Sequence, residues 1–176
     1  MKWEILIIGR GGQGILLLGR ILGLAASKYA GLYAVFTESY AAETRGGESR
    51  SDVIIANTVE EIDYIKVQRP DIAVFMYPYN LDKYKAMLKP HSMVFIDDEY
   101  VDPGIFKEHI VFSHKFSEIA EKQAGSRRVA NMVLLGKLIK ETKILSIDHV
   151  KKTLEELIHP NWFEINIKAL ETGYNL

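Results

Sequence analysis

Six residues near the N-terminus, Gly9-Arg10-Gly11-Gly12-Gln13-Gly14, constrain this chain more than any other stretch. They follow a short apolar run, Trp3 to Ile8, and precede a longer one, Ile15 to Ala26. The first run reads as a buried strand. The second belongs to a helix expected from Gln13 to Tyr29, apolar over most of its circumference and stopped by Gly31. Gly9, Gly11 and Gly14 fit the spacing Gly-x-Gly-x-x-Gly. The first glycine allows a tight turn, the second lets backbone approach a ligand, and the third lets helix and strand pack closely. A Walker-type phosphate loop is excluded, because Ile15 and Leu16 stand where it needs lysine and a hydroxyl residue.

The rest of the chain alternates strand and helix signals. Further strands are expected at Tyr33–Thr37, Ser51–Ala56, Asp71–Met76, Met93–Asp97 and Ile110–Ser113, with a helix at Asn80–Leu88. From Ser117 the pattern turns helical, in segments near 117–123, 127–142, 146–158 and 162–174. Gly125, Ser146 and Pro160 punctuate them, and Ser126 and Ser146 are the expected N-caps. The fold class that follows is α/β: a Rossmann-like, mostly parallel sheet, helices on both faces, and a helical C-terminal part from about residue 117. At 176 residues the chain is expected to be a single domain, 1–176.

Composition narrows the function. Net charge is −1, which gives no nucleic-acid footprint. Cysteine is absent, so this chain offers no disulfide, no thiol nucleophile and no cysteine-ligated iron–sulfur cluster. The apolar run at Ile15–Ala26 is broken by Arg20 and is too short to span a bilayer, and Trp3 to Ile8 leads into a glycine turn instead of a cleavage site. No membrane association and a cytoplasmic location are expected. His91, His109, His114, His149 and His159 are scattered without metal-ligand spacing, so no metal site is expected. Asp97-Asp98-Glu99 reads as a solvated strand end, and no catalytic constellation emerges.

Two readings of the glycine turn stay open on the residues alone. In one, a dinucleotide sits there with Glu38 as its ribose partner, which makes the chain a stand-alone NAD(P)- or flavin-binding reductase. In the other, Gly9, Gly11, Gly12 and Gly14 serve backbone packing, and Gln13 presents a directed amide to a partner. A second block, expected as an irregular loop from Glu38 to Arg50, bears on the choice. Its Tyr40, Glu43, Arg45, Gly46, Gly47, Ser49 and Arg50 combine an aromatic anchor, glycines and charges of both signs, as interface centres do. A solvated loop with local salt bridges fits the same residue types. Arg127 and Arg128 open a helix, where cations are disfavoured, which points to exposure or to an anion such as a partner carboxylate or a CoA phosphate. Tyr77, Tyr79 and Tyr84 around Pro78 pack a loop or meet a partner.

At these blocks the sequence resembles the gamma subunit of thiamine-diphosphate-dependent 2-oxoacid:ferredoxin oxidoreductases. The matching residues are Gly9 to Gly14, Ser39 to Ser49, and the later Asn131-Met132 with Leu135-Gly136. The form Arg45-Gly46-Gly47-Glu48-Ser49-Arg50-Ser51 is most similar to the 2-oxoglutarate branch, and Ala41 departs from the family's usual glycine. The resemblance implies a noncatalytic subunit of a complex that converts a 2-oxoacid to acyl-CoA and carbon dioxide and reduces ferredoxin. It implies alpha, beta and delta partners, with thiamine diphosphate, Mg2+ and iron–sulfur clusters on those subunits and CoA approaching nearby. This chain lacks cysteine and any Gly-Asp-Gly segment followed by asparagine, in agreement with that division. The isolated chain is then expected to be inactive and prone to form a homodimer. Alternatives are the small subunit of a pyruvate, ketoisovalerate or indolepyruvate oxidoreductase.

Overall fold

A computed structural model describes residues 1–41 and 46–176. All six expected strands are present: β1 (Lys2–Arg10), β2 (Tyr33–Tyr40), β3 (Glu48–Ala56), β4 (Ile72–Phe75), β5 (Met93–Asp97) and β6 (Ile110–His114). They form one sheet in the order β2-β3-β1-β4-β5-β6. β1, β4, β5 and β6 are parallel neighbours. β3 runs against both β1 and β2, so the sheet is mostly parallel with one reversed strand.

The reversal follows from chain length between strands. The segment expected as a loop from Glu38 to Arg50 is mostly strand: β2 runs on to Tyr40, β3 starts at Glu48, and Tyr40 pairs with Ser49. So short a connection joins antiparallel neighbours, whereas a parallel crossover needs a dozen or more residues. β3 therefore folds back beside β2 and takes the place next to β1 that the second strand of a simple doubly wound sheet would hold.

The strands are apolar on both faces because both faces are covered. Ile5 and Ile7 point into the larger core, with Phe95 and Val74, under the helix that follows β1 and the helices of the C-terminal part. Leu6 and Ile8 point the other way, with Phe75, Ile96 and Phe106, where the helix that follows β4 contributes the buried Tyr84. Helix α1 (Ile15–Leu24) begins two residues later than expected, since Gly14 is left-handed (φ 74°) and cannot belong to it. Its last turn widens to a π-helix at Ala25–Tyr29, and Gly31 (φ 68°) ends it. Helix α2 spans Leu81–Met87.

The C-terminal part is helical: α3 (Phe116–Ile119, continued as a π turn to Ala124), α4 (Ala130–Thr142), α5 (Ile147–Leu157) and α6 (Pro160–Tyr174). Arg127–Val129 form a 3-10 turn before α4. Ser126 and Ser146 cap as expected, accepting from the Arg128 and His149 amides. Pro160 starts α6, where its missing N–H costs nothing. α4 and α6 cross at Gly136 and Gly173, close enough that a side chain on either would strike the other helix's backbone.

Candidate functional site

The site lies at the carboxyl ends of β1, β4 and β5. There α1 leaves on one face of the sheet and α2 on the other, the switch point at which open α/β sheets offer a crevice. β1 ends at Arg10, and the chain turns through Gly11, Gly12 and Gly14 into α1. Gln13 fastens this turn. Its Oε1 accepts from the Arg10 amide at 2.7 Å, and its Nε2 donates to the Met76 carbonyl just past β4 at 3.1 Å. A Cβ on Gly9 would press on that same amide and on Ile15. Gln13 thus joins two strand ends within the chain.

The remaining glycines divide in role. The Gly11 amide donates to the Gly47 carbonyl at 2.9 Å, which ties the turn to the base of the β2–β3 hairpin. Gly12 (φ 94°) has open space where a Cβ would stand. Gly14 touches Asn131 at the start of α4, whose Nδ2 donates to the Gly14 carbonyl at 3.3 Å. The structure therefore brings Gly9 to Gly14, Gly46, Gly47 and Asn131 into one neighbourhood.

Glu38 is elsewhere. It sits on β2, separated from β1 by the whole of β3, and forms an ion pair with Arg20 at 2.7 Å. The acid expected as a ribose partner is therefore two strands away from the glycine turn, while Glu48, at the start of β3 opposite Arg10, is taken up by Asn80 and Tyr84.

The hairpin base is anchored by tyrosines. Tyr79 donates from its hydroxyl to the Gly46 carbonyl, and Gly46 itself is left-handed (φ 101°). Glu48 accepts from Asn80 Nδ2 and from the Tyr84 hydroxyl. Burial, with the Glu48 carboxylate beside it, pushes the Tyr84 phenol up to about 12. Arg50 makes a two-pronged pair with Asp52 (2.7 and 2.9 Å) and lies over the Tyr84 ring. Ser49 is buried, while Tyr40 is 72% exposed. Glu43 and Arg45 lie outside the described residues.

A crevice of about 180 Å³ opens beside the turn, lined by Arg10, Gly12, Gln13, Met76, Tyr100, Arg127 and Arg128 among others. Arg10 and Arg128 lend it positive charge, whereas the Arg127 charge is already matched by carboxylates. Arg127 is engaged by Glu99, Glu121 and the Tyr100 hydroxyl. Arg128 lies over the Trp162 ring at 5.7 Å and lines a second groove of about 370 Å³ with Gly12, Leu17 and Asn131. Of the acidic run that closes β5, expected to be solvated, Asp97 is instead buried and accepts from the Ser117 hydroxyl (2.6 Å) and amide (3.0 Å), and burial raises its pKa. Asp98 accepts from Ser113, and Glu99 pairs with Arg127. Among the described residues no His, Cys, Asp or Glu cluster suits a metal ion, and no helix is long and apolar enough to cross a membrane.

Sequence reasoning missed Tyr100, and it left the roles of Tyr77 and Tyr79 undecided. The one available signal was a Tyr-Pro-Tyr run directly after a strand at the sheet's carboxyl edge.

Fold and site together define a Rossmann-like α/β protein whose glycine turn is latched to a hairpin of its own chain. The chain belongs to the pyruvate ferredoxin/flavodoxin oxidoreductase family, whose profile matches residues 4–176. It is 40% identical to the 2-oxoglutarate synthase subunit KorC of Methanothermobacter marburgensis, over 100% of this chain and 97% of that protein. Identity to the KorC subunit of Methanocaldococcus jannaschii is 39%, over 100% of this chain and 94% of the relative. Among solved structures, the keto/oxoacid ferredoxin oxidoreductase gamma subunit from Geobacter sulfurreducens superposes with a TM-score of 0.81 at 30% identity, covering 98% of this chain and 96% of that one.

Proposed function

We propose that this chain is the noncatalytic gamma subunit of a thiamine-diphosphate-dependent 2-oxoglutarate:ferredoxin oxidoreductase. The complex would convert a 2-oxoacid, CoA and oxidised ferredoxin to acyl-CoA, carbon dioxide and reduced ferredoxin. The observation that carries the reading is the Gly11–Gly47 hydrogen bond, which commits the glycine turn to holding a hairpin. A dinucleotide-binding reductase needs that turn open and an acid beside it, and Glu38 is held on the sheet edge by Arg20. Identity of 40% and 39% to relatives carrying the 2-oxoglutarate synthase name, against 29% to an indolepyruvate and 28% to a ketoisovalerate oxidoreductase subunit, favours 2-oxoglutarate as the substrate.

In this reading thiamine diphosphate, Mg2+ and the iron–sulfur clusters are held by alpha, beta and delta partners in the cytoplasm, and ferredoxin is met only through them. The chain contributes a boundary surface. Tyr40, Glu43, Arg45, Gly46 and Gly47 meet a partner subunit, while Ser49, Arg50 and Asn131 support that surface from within. The arginine-lined crevice at Arg10, Arg127 and Arg128 suits the phosphates of CoA. In isolation, the exposed Tyr33, Phe36 and Tyr40 on the edge strand β2 favour self-association. The test is co-purification from a native extract with an assay for oxoacid- and CoA-dependent reduction of a low-potential acceptor. Turnover of another oxoacid would keep the complex and change the branch.

A further inference from the structure

Arg10 is an exposed arginine contacted along its whole length. Its amide is fixed by Gln13. Its guanidinium lies over the face of Tyr77, 4.9 Å from the ring centre. Its stem runs beside Gly46, where an added Cβ would come within 3.8 Å of Arg10 Cδ. An arginine side chain in water samples many rotamers, and ordering one on binding costs affinity. Here the ordering is done in advance by the fold.

The device that does it is the segment after β4. Pro78 sits in a tight turn, closed by the Tyr79 amide donating to the Tyr77 carbonyl at 2.9 Å. The turn sets the two rings side by side, with centres 5.1 Å apart. Tyr77 is backed from behind by Tyr100 at 5.6 Å, and Tyr100 accepts from Arg127 at 3.0 Å. Tyr79 reaches the other way and donates to the Gly46 carbonyl. One aromatic platform therefore holds both Arg10 and the base of the hairpin. Tyr79 is half-buried against the smaller core, whereas Tyr77 belongs to neither core, so core packing does not account for Tyr77.

We infer that Tyr77 and Tyr79 are positioning residues that fix Arg10 and Gly46 as one preorganised recognition element for an anionic oxygen group. The inference rests on the gamma-subunit reading for where that group comes from: a partner carboxylate or a CoA phosphate. It does not rest on that reading for the positioning itself.

Two arms test it. In the isolated chain, the Arg10 Nε–H resonance is expected to be resolved and shifted by the Tyr77 ring current. Tyr77→Phe keeps the ring and the shift, while Tyr77→Leu collapses it, with the melting temperature checked for each variant. An Arg10 resonance at the free-arginine position in the unaltered chain overturns the positioning claim, whether or not the chain assembles with anything. In the reconstituted complex, Tyr77→Leu is expected to weaken either subunit association or CoA KM by about two- to fivefold, more than it changes kcat, with Phe restoring the value. A rise in the subunit dissociation constant identifies a partner carboxylate, and a rise in CoA KM identifies a phosphate. If Arg10→Ala changes either constant and Tyr77→Leu changes neither, the platform does not position Arg10.

Discussion

The backbone amide of Gly11 donates to the backbone carbonyl of Gly47 across 2.9 Å. That single contact joins the two most informative blocks of the sequence, and neither side chain takes part in it. A Cβ on Gly11 would come within 3.6 Å of the Gly46 amide, so the approach is close but not strained. The same amide would otherwise be a natural donor to a bound phosphate.

Gln13 is the fastening of the turn, and its loss should be felt as stability. Gln13→Ala leaves the Arg10 amide and Met76 carbonyl without their partner, and should cost about 1–3 kcal/mol. Gln13→Glu keeps the acceptor toward Arg10 and sets a carboxylate oxygen against the Met76 carbonyl, so it should not rescue. Urea denaturation of the three chains checks both. Equal midpoints would show that the clasp contributes nothing.

Gly14 combines a left-handed backbone (φ 74°) with direct contact to Asn131. Gly14→Ala should destabilise by about 1–3 kcal/mol through backbone strain and the clash together. Asn131→Ala removes the obstacle but also a hydrogen bond. The double variant should therefore be more stable than the sum of the single losses implies, since residues in contact do not behave additively. Additive losses would place the two residues in independent environments.

Tyr84 should report its burial by titration. Its hydroxyl is held near 12, above the ordinary 10.0, first by burial and then by Glu48. A phenol whose folded value is raised contributes stability that is fully present below pH 10 and is lost as pH rises through about 12. The wild-type chain should thus lose more stability over that window than Tyr84→Phe does. The tyrosinate absorbance that the wild-type chain shows in excess of Tyr84→Phe should appear near pH 12 and not near pH 10. Parallel stability curves for the two chains would contradict this.

The crossing of α4 and α6 admits nothing larger than glycine. Gly136→Ala would press on the Leu170 carbonyl and Gly173→Ala on the Val133 carbonyl, both backbone atoms that cannot rotate away. Each should cost at least the ~1–3 kcal/mol of an overpacked core. Thermal unfolding by circular dichroism checks it, and a melting temperature within a degree of wild type would mean the helices separate freely.

Much of this was legible in the residues. The apolar runs around Ile7, Val74 and Phe95 announced strands covered on both faces, and the caps at Ser126 and Ser146 announced helix starts. The direction of β3 was not legible, because period and hydrophobicity carry no sign. Nor was the true length of the hairpin. Ser39, Ser49 and Arg50 look like loop residues, yet they pair as strand, and the Arg50 charge is answered locally by Asp52 and the Tyr84 ring. The position of Glu38 depended on that missed reversal: once β3 lies between β1 and β2, an acid on β2 is a strand too far from the glycine turn. The part of Gln13 stayed hidden for a different reason. An amide next to a glycine turn looks the same whether it faces a ligand or holds two strand ends.

The central claim is that this chain works only as part of an oxoacid-oxidising complex. The most direct test is to pull the chain from native extract and assay the eluate for 2-oxoglutarate- and CoA-dependent reduction of a low-potential acceptor. The account predicts co-purified larger subunits and that activity, with the separated chain inactive. A chain that comes down alone and binds NAD(P) or flavin saturably at micromolar concentration would contradict it.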